Sequence, residues 1–430
     1  MPSLSSFSSS PYTTESRARQ LVTGFVLGST YNTGFTYAGG NTPAADPGGL
    51  FGWLVYARTA KSNPVIGTTA DTYIEYTNPG AFIQDLNKLS GSTYAMVSFD
   101  GTAGSTYSLF RQNNNNTVTG LTSGTQFLQA MSYLAYGGRL VFAGYTSGLS
   151  TYQTQTGRNI EVFMGISAAS EDIKWVESNP YTVGVFESSN TGGGYTAIQF
   201  DGSFANENNV SLADSSSAAY RIFNVYGQKT VSQFNTSLLA TGTTITYTQS
   251  AVPDVCGFFA RSKDRGELYL TVAGVDRAFV LNGSITNPVS WSDTSLKTIL
   301  KNNRVNYFIN YSPTFLGLDL VGATASTSDV TVNERVGPAQ MKVAMDRDIT
   351  SIGMKYLYDI NNEVTRTAVT TEILSYLQQY NNFVDTTKTQ VVCNSSNNTD
   401  NSSTLNISVS ITPLLGTTSF VVNVNLTSAP

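Results

Sequence analysis

Histidine is absent from this chain of 430 residues. Catalytic devices that use histidine as a base, and metal sites built on imidazole, are therefore excluded. A hydrolase that works with two carboxylates stays open, because glycoside hydrolysis needs no histidine. The 29 acidic residues are scattered, and no spacing singles out such a pair. We therefore predict that the chain is not an enzyme and binds neither a cofactor nor a metal.

Cysteine is scarce as well, with two residues, Cys256 and Cys393. One pair in so long a chain is not the disulfide framework of a small secreted domain. Unpaired cysteines are among the most often buried residues and behave as small hydrophobic side chains. We predict two buried thiols in a protein assembled in a reducing cytoplasm.

Charge is sparse: 12% of the residues are charged, and the formal net charge is −5 with no run of either sign. This pattern gives no electrostatic footprint for nucleic acid. No apolar stretch reaches the roughly 18 residues of a membrane span, and the N-terminus lacks the pattern of a secretory signal. Serine, threonine, asparagine and glycine take the place of the missing charged residues. This composition favours strands, turns and a surface covered by neighbouring subunits.

The first 124 residues divide by composition. Residues 1–22 are rich in serine, and they predict either a frayed terminus or an extended arm that becomes ordered on a neighbouring subunit. Residues 23–124 combine aromatic residues and glycine with turn signals such as Asn78-Pro79-Gly80. We predict a β-rich outer domain for this second region.

The pattern changes at residue 125, where we place an α/β domain over residues 125–330. Phe127, Met131 and Leu134 recur at helical spacing, and Gly137-Gly138 provides a stop signal. Continuous apolar runs follow, as expected for strands covered on both faces. The glycines at 192–194 are not followed by Lys-Ser/Thr, so they predict a hairpin turn and not a phosphate loop. The apolar runs are residues 140–143, 162–166 and 182–186.

Residues 331–415 predict a C-terminal domain of two helices and a sheet. Pro338 suits the first turn of one helix, and Asn362 is a good N-cap for the next. The predicted apolar stripes are Met341, Ala344, Met345, Ile349 and Ile352 on the first helix, and Val369, Ile373, Leu374 and Leu377 on the second. Residues 405–412 then alternate apolar and polar side chains, the pattern of a half-buried strand.

The last segment, residues 416–430, contains one more alternating stretch. A strand that follows a glycine-containing linker is able to pair with its own sheet or with that of a neighbour. We predict an arm strand that joins subunits. Its predicted contact residues are Phe420, Val421, Val422, Val424 and Leu426.

Seven short stretches in the C-terminal half of the chain carry a recognisable pattern. They are Val252-Pro253-Asp254-Val255-Cys256-Gly257-Phe258-Phe259-Ala260-Arg261, Ala273-Gly274-Val275-Asp276-Arg277, 300–306 with Arg304-Val305-Asn306, 317–324 with Gly322-Ala323-Thr324, 358–366, 390–399 and 405–413. In this order they resemble the sheath proteins of contractile phage tails and related injection systems. Residues 125–250 fit that family more loosely, and residues 1–124 carry no motif.

The resemblance implies an α/β and α+β multidomain fold with a subtilisin-like but non-catalytic central domain. It also implies an inner C-terminal domain whose sheet is completed by the arms of neighbouring subunits. Such proteins form stacked hexameric rings in the tail sheath of a virion, contract around a tail tube, and meet baseplate and tail terminator proteins. Sheaths commonly face an acidic tube with basic residues. The candidates here are Lys342, Arg347 and Lys355, although Asp346 and Asp348 lie beside them.

Two other functions fit parts of the sequence. A β-rich carbohydrate-binding or surface-layer protein agrees with the polar composition and the 24 tyrosines, but it does not account for the helix pair or the ordered motifs. A glycosidase built on two carboxylates is the third reading.

Overall fold

A computed structural model describes residues 21–26, 35–38, 73–82, 95–98, 125–143, 146–165, 170–191, 194–196, 221–231, 247–267, 269–281, 283–322, 335–400 and 402–414. These residues form two compact units. The first contains the described residues up to 343 except 269–271, and the second contains residues 269–271 and the described residues from 344 onward. Each unit is described by itself below.

Strands and helices have the following bounds. The strands are β1 Val22–Val26, β2 Phe35–Ala38, β3 Tyr73–Tyr76, β4 Ala95–Ser98, β5 Arg139–Ala143, β6 Val162–Gly165, β7 Val183–Glu187, β8 Ser189–Thr191, β9 Gly194–Thr196, β10 Ile222–Tyr226, β11 Gln228–Val231, β12 Tyr247–Ser250, β13 Ser284–Ile285, β14 Val289–Ser290, β15 Val305–Asn310, β16 Phe315–Leu316, β17 Gln390–Val392 and β18 Ser408–Ser410. The helices are α1 Thr125–Leu134, α2 Thr146–Thr156, α3 Ser170–Ser178, α4 Val252–Asp264, α5 Thr294–Asn302, α6 Val336–Met354 and α7 Glu363–Gln378.

The first unit is organised around a large mixed sheet with the strand order β14-β15-β10-β7-β6-β1-β5-β3, in which β16 also pairs with β15. The pairs from β14 to β5 are parallel, whereas β3 and β16 pair antiparallel. β1 lies in the middle of the sheet, with Val22 opposite Arg139 and Thr23 opposite Val162. β1 and β3 thus join the α/β sheet, although they come from the region where we predicted a separate β-rich domain.

Helices cover both faces of this sheet, which explains its continuous apolar strands. On one face, Leu149 and Tyr152 of α2 and Trp175 and Val176 of α3 pack in a buried cluster with strand residues such as Phe163. Successive strand residues point to opposite faces, so Phe223 faces the other side from Ile222. Phe223 packs edge-on against Phe259 of α4, with ring centroids 5.6 Å apart. The first unit is therefore a three-layer α/β/α structure.

Apart from the placement of β1 and β3, the predictions for helix α1, the apolar strands and the hairpin of this unit agree with the structure. α1 ends at Leu134 and is followed by Gly137 with a positive φ of 86°. β5, β6 and β7 occupy the predicted apolar runs, and the described side chains of β5 and β6 are all buried. β8 and β9 pair antiparallel around residues 192–193, as expected for a hairpin. Cys256 is a buried free thiol, as predicted.

The second unit contains the C-terminal part of α6, the helix α7 and the two-stranded antiparallel sheet β17-β18. Pro338 lies in the first turn of α6 and Asn362 is the N-cap of α7, as predicted. The predicted stripe on α7 is correct at Val369, Ile373 and Leu377 but wrong at Leu374, which is 41% exposed. Leu374 follows Ile373 by one position, about 100° around the helix, and so points away from the buried face.

No helix among the residues that the structure describes is long and apolar enough to cross a membrane.

Candidate assembly site

The start of α7 is fixed by its own capping residue. The side-chain Oδ1 of Asn362 accepts a hydrogen bond of 3.0 Å from the backbone N–H of Thr365. Glu363 lies in the first turn, where the helix dipole favours a negative charge. One face of the helix is buried, through Arg366, Val369, Ile373 and Leu377. This face carries the sheet of the second unit, because α7 packs on β17.

Arg366 joins the start of α7 to the chain that leads into β18. Its Nε donates a hydrogen bond of 2.8 Å to Oδ1 of Asn361, and its guanidinium forms an ion pair of 2.9 Å with Asp400. The side-chain amide of Asn361 in turn donates to the carbonyl of Thr404 at 2.8 Å. The Arg366 side chain is 3% exposed, so its bond to Asn361 is shielded from water, whereas Asp400 is 72% exposed and its ion pair contributes less.

Asparagine side chains organise the loop between β17 and β18. Oδ1 of Asn398 accepts from the backbone N–H of Asn406 at 2.6 Å, and its Nδ2 donates to the carbonyl of the same residue at 2.9 Å. The side-chain amide of Asn397 donates to the carbonyl of Val392 at 2.9 Å. The amide of Asn398 therefore pairs with Asn406 as a neighbouring strand would, and it holds the chain extended just before β18.

The β17-β18 sheet has one face of half-buried apolar side chains. Val391 pairs with Val409 in the centre of the β17-β18 ladder. From 405 to 410 the side chains alternate, with half-buried Leu405, Ile407 and Val409 against exposed Asn406, Ser408 and Ser410. The predicted half-buried strand is thus present as a pattern of exposure, although regular pairing extends over three residues only. Apolar side chains that are half covered are able to bury more surface against an added partner.

The edges of this sheet are available in the part of the chain that the structure describes. There, β17 and β18 pair with each other and with no further strand. The connection beyond β18 is held by a backbone bond of 2.7 Å from the N–H of Leu414 to the carbonyl of Phe383. An isolated two-stranded ribbon is marginally stable in water, and unpaired strand edges favour addition of further strands.

Two of the three basic residues predicted for a partner surface form ion pairs within the second unit. The Arg347 Nε donates to Asp348 at 2.8 Å, and Lys355 forms an ion pair with Glu372. The Lys355 ammonium is also the main cause of the lowered pKa of Glu372. An acidic partner would compete with these internal carboxylates.

A cluster of tyrosines supports the same unit. The rings of Tyr269 and Tyr380 meet edge-on with centroids 5.5 Å apart, and Tyr376 donates to Oδ2 of Asp348 at 2.8 Å. Burial raises the pKa of Tyr376 above its ordinary value, and hydrogen bonding to Tyr380 and Asp348 adds to the effect. Cys393 is a buried free thiol in this unit, as predicted, and burial raises its pKa.

Two groups of exposed apolar side chains were missed by the sequence analysis. The first surrounds the connection between α6 and α7, where Tyr358 is 96% exposed and adopts a positive φ of 75°. The second is the pair Trp291 and Tyr311, which are 60% and 57% exposed on the first unit. The available signal was the apolar residue type alone, which does not distinguish a covered side chain from an exposed one.

Several predicted features lie outside the described residues. These are the N-terminal arm up to residue 20 and the complete arm strand 416–430 with Phe420, Val421, Val422, Val424 and Leu426. Within the residues that the structure does describe, no group of three or more Cys, Asp or Glu side chains is arranged to hold a metal ion.

The fold defined by these two units is that of contractile sheath proteins. No family profile and no curated protein sequence matches the chain. Among solved structures, the helical sheath of the anti-feeding prophage in its contracted state aligns with a TM-score of 0.55 at 12% identity, covering 94% of this chain and 92% of that one. The likeness therefore extends over nearly the whole length of both chains.

Two further structures show the same relationship. The contracted sheath complex of an extracellular contractile injection system, PVC, aligns with a TM-score of 0.54 at 12% identity, covering 94% of this chain and 91% of that chain. A chain in the six-fold symmetrised baseplate of the anti-feeding prophage aligns with a TM-score of 0.53 at 11% identity, covering 96% and 94%. The predicted resemblance to contractile sheath proteins is thus confirmed at the level of the fold.

Proposed function

We propose that this chain is the structural subunit of a contractile sheath, in a phage tail or a related injection system. The observation that carries the proposal is the full-length likeness to sheath structures, combined with the β17-β18 sheet whose edges are unpaired in the described part of the chain. The role is mechanical and not catalytic. The mostly parallel, doubly covered sheet of the first unit fits the subtilisin-like, non-catalytic arrangement expected for the central domain.

The finer mechanism is strand exchange. Residues 416–430 of one subunit, together with the N-terminal arm from another, would add to the β17-β18 sheet of a neighbour. The arm is limited to residues 1–20, because Leu21 and Val22 of the predicted arm pair with Arg139 in their own sheet. A strand from Phe420 to Leu426 makes about six backbone bonds worth roughly 1 kcal/mol each, whereas ordering it costs about 1–2 kcal/mol per residue. Burial of four apolar side chains, at about 1.5–3 kcal/mol each, tips the balance toward assembly.

The expected assembly is a stack of hexameric rings around a tail tube. The baseplate structure that resembles this chain was averaged with six-fold symmetry, and the two sheath structures are in a contracted state, which supports both the ring size and the contraction. The partners would be copies of this chain, the tube, the baseplate and a terminator protein. We infer assembly in the host cytoplasm and delivery of the tube through an envelope, with genome ejection in the case of a phage.

Contact with the tube stays a prediction for Lys342, Arg347 and Lys355. Because Arg347 and Lys355 already pair with Asp348 and Glu372, the tube would have to replace an internal ion pair at each. Lys355 is 61% exposed and its pair is worth about 0–1 kcal/mol, so a tube carboxylate would replace it at little cost. The Arg347–Asp348 pair is half-buried and would be harder to replace.

Electron microscopy of the purified full-length protein tests the proposal, with cross-striated tubes as the expected result. A variant with serine in place of Phe420, Val422, Val424 and Leu426 should fold but remain a small oligomer. The matched control replaces Asn423 and Asn425 with serine, on the opposite face of the alternating strand, and should still form tubes. Tubes built normally by the four-serine variant would exclude this arm as the link, and a wild-type protein without tubes in any condition would exclude the sheath function.

A further inference from the structure

The connection between α6 and α7 presents a group of exposed apolar side chains that we name the apolar tip. Its members and their exposed fractions are Met354 61%, Leu357 53%, Tyr358 96%, Ile360 66% and Val364 78%. Isolated exposed apolar residues are ordinary on protein surfaces, but five within eleven positions mark an interaction surface.

The backbone at the centre of the apolar tip supports a role in contact. Tyr358 has a φ of 75°, a left-handed conformation that is costly for an aromatic residue and that turns its ring outward. Such strain persists only where the surrounding structure holds it, and it concentrates at functional positions. The support here comes from Glu372, which accepts a hydrogen bond from the hydroxyl of Tyr356 at 2.9 Å and pairs with Lys355.

The charged residues that lie within and beside the apolar tip give it a net negative charge. Lys355 and Glu372 neutralise each other, which leaves Asp359 and Glu363 as its uncompensated charges. Neither carboxylate has an ion-pair partner among the residues described by the structure. A complementary surface should therefore combine exposed aromatic side chains with positive charge.

The first unit carries a surface of that composition, which we name the aromatic patch and define as Trp291, Lys297, Lys301 and Tyr311. The Trp291 and Tyr311 rings have centroids 6.4 Å apart and follow the parallel strands β14 and β15, which end side by side. The ammonium of Lys297 lies 5.5 Å from the centre of the Trp291 ring and donates to the carbonyl of the same residue at 2.6 Å.

The charge of the aromatic patch is positive. Lys301 lies one turn after Lys297 on the same side of α5 and has no carboxylate partner in the described part of the chain. Asp293, at the beginning of α5, is the nearest acidic residue in sequence, and its carboxylate accepts a hydrogen bond from the N–H of Leu296. Two lysines against one aspartate leave a net charge of +1. Tryptophan and tyrosine are also the side chains most enriched where binding energy concentrates.

We propose that the apolar tip of one subunit docks on the aromatic patch of another copy of this chain. Each copy carries both surfaces at different places, so the contact is head-to-tail and continues from copy to copy, as an open polymer requires. The inference rests on the proposed sheath function and adds to it a contact between folded surfaces, independent of the terminal arms.

Disulfide trapping tests the contact directly, because both native cysteines are buried. Full-length Leu357→Cys protein is mixed with Ser292→Cys protein under assembly conditions and oxidised. We expect a cross-linked dimer in the mixture and not with either protein alone, since the two thiols then belong to different chains. The matched control replaces Ser292→Cys with Thr154→Cys, an exposed position on α2, and should give no cross-link.

Charge reversal provides the second measurement. Lys297→Glu with Lys301→Glu, or Asp359→Lys with Glu363→Lys, should raise the critical concentration for tube formation at least about tenfold through like-charge repulsion. The chain with all four substitutions should return to within about threefold of wild type. Thermal unfolding of each variant separates weakened contact from weakened folding, because Glu363 also stabilises the start of α7.

The outcomes separate this contact from the sheath function. Wild-type tubes together with neither a cross-link nor a charge-reversal rescue would overturn the contact and leave the sheath function standing. Loss of assembly in both reversed variants without rescue would also overturn it, and would assign the two surfaces to another protein of the assembly. Absence of wild-type tubes bears on the sheath function, whereas the cross-link still decides whether the two surfaces meet.

Discussion

The ammonium nitrogen of Lys229 lies 2.8 Å from Oδ1 of Asp254, and the two side chains are 1% and 0% exposed. The hydroxyl of Tyr136 donates to the same oxygen at 2.7 Å and accepts from the N–H of Leu281 at 2.8 Å. β11, α4 and the turn after α1 therefore meet at one buried carboxylate. Burial raises the pKa of Asp254, and Lys229 opposes that increase.

Removing the ammonium should strongly destabilise the first unit. In Lys229→Met the carboxylate stays buried without its counter-ion, and we expect a loss of about 3–5 kcal/mol in the free energy of unfolding. The double variant Lys229→Met/Asp254→Asn should recover part of the loss, because no uncompensated charge remains. Urea unfolding of wild type, the single variant and the double variant measures the free energy of unfolding of each. Equal losses in the single and double variants would show that the ion pair does not carry this stability.

Arg221 should be equally difficult to replace, because its buried guanidinium closes the C-terminal end of α3. It donates to the carbonyls of Val176 at 2.6 Å, Glu177 at 3.0 Å and Asn179 at 2.8 Å. We expect Arg221→Met to lower the free energy of unfolding by about 3 kcal/mol, since several carbonyls lose a charged donor. Hydrogen exchange should accelerate first in α3. The control is Arg265→Met, whose guanidinium donates to one exposed carbonyl, and its effect should be below about 1 kcal/mol.

Glu187, at the end of β7, should make stability depend on pH. Burial raises its pKa to about 7. The folded state thus binds the proton more tightly than the unfolded state, so stability is fully present below the unfolded pKa and falls as pH rises toward 7. Glu187→Gln should remove this fall and gain up to about 3 kcal/mol at pH 8, with little gain near pH 4.

Urea unfolding of Glu187→Gln and wild type at both pH values checks this dependence. Glu267→Gln is a suitable control for the change from Glu to Gln itself, because Glu267 is partly exposed in an ion pair with Arg277. A gain of equal size at pH 4 and pH 8 would contradict the assignment.

The asparagine pair of the second unit offers a local test. Asn398→Ala removes both side-chain bonds to Asn406, and we expect faster hydrogen exchange and proteolysis over residues 393–410, with about 1–3 kcal/mol lost. Asn406→Ala is the control, because it keeps both backbone bonds to Asn398 and loses only an exposed bond of 3.1 Å from Nδ2 of Asn406 to the carbonyl of Asn397. If the two variants behave alike, the side chain of Asn398 does not organise this loop.

Much of the helical and strand content followed from local pattern. Asn362 was predictable as an N-cap because capping depends on the residues that follow it within one turn. The runs that became β5, β6 and β7 were recognisable because a strand covered on both faces must be apolar throughout. Leu374 was assigned to the buried stripe incorrectly. It is an apolar residue next to Ile373, and residue type alone did not show which of the two faces the core.

The partners of each element were not predictable in the same way. β1 was separated from the α/β domain, yet it lies between β6 and β5, more than a hundred residues away in sequence. Nothing in residues 22–26 specifies that position, since the pairing is selected by the neighbouring strands. The β17-β18 sheet was anticipated as an alternating pattern, whereas its short ladder and its dependence on Asn398 required the tertiary structure.

The sequence alone determined that histidine chemistry is impossible, and it predicted two buried thiols and the alternating exposure of residues 405–410. These properties depend on residue type and on spacing within a few turns. The tertiary structure alone decided the sheet order, the buried pair of Lys229 with Asp254, and the exposure of Tyr358 and Trp291. Those features depend on which distant residues remove water from a side chain, and local pattern carries no information about that.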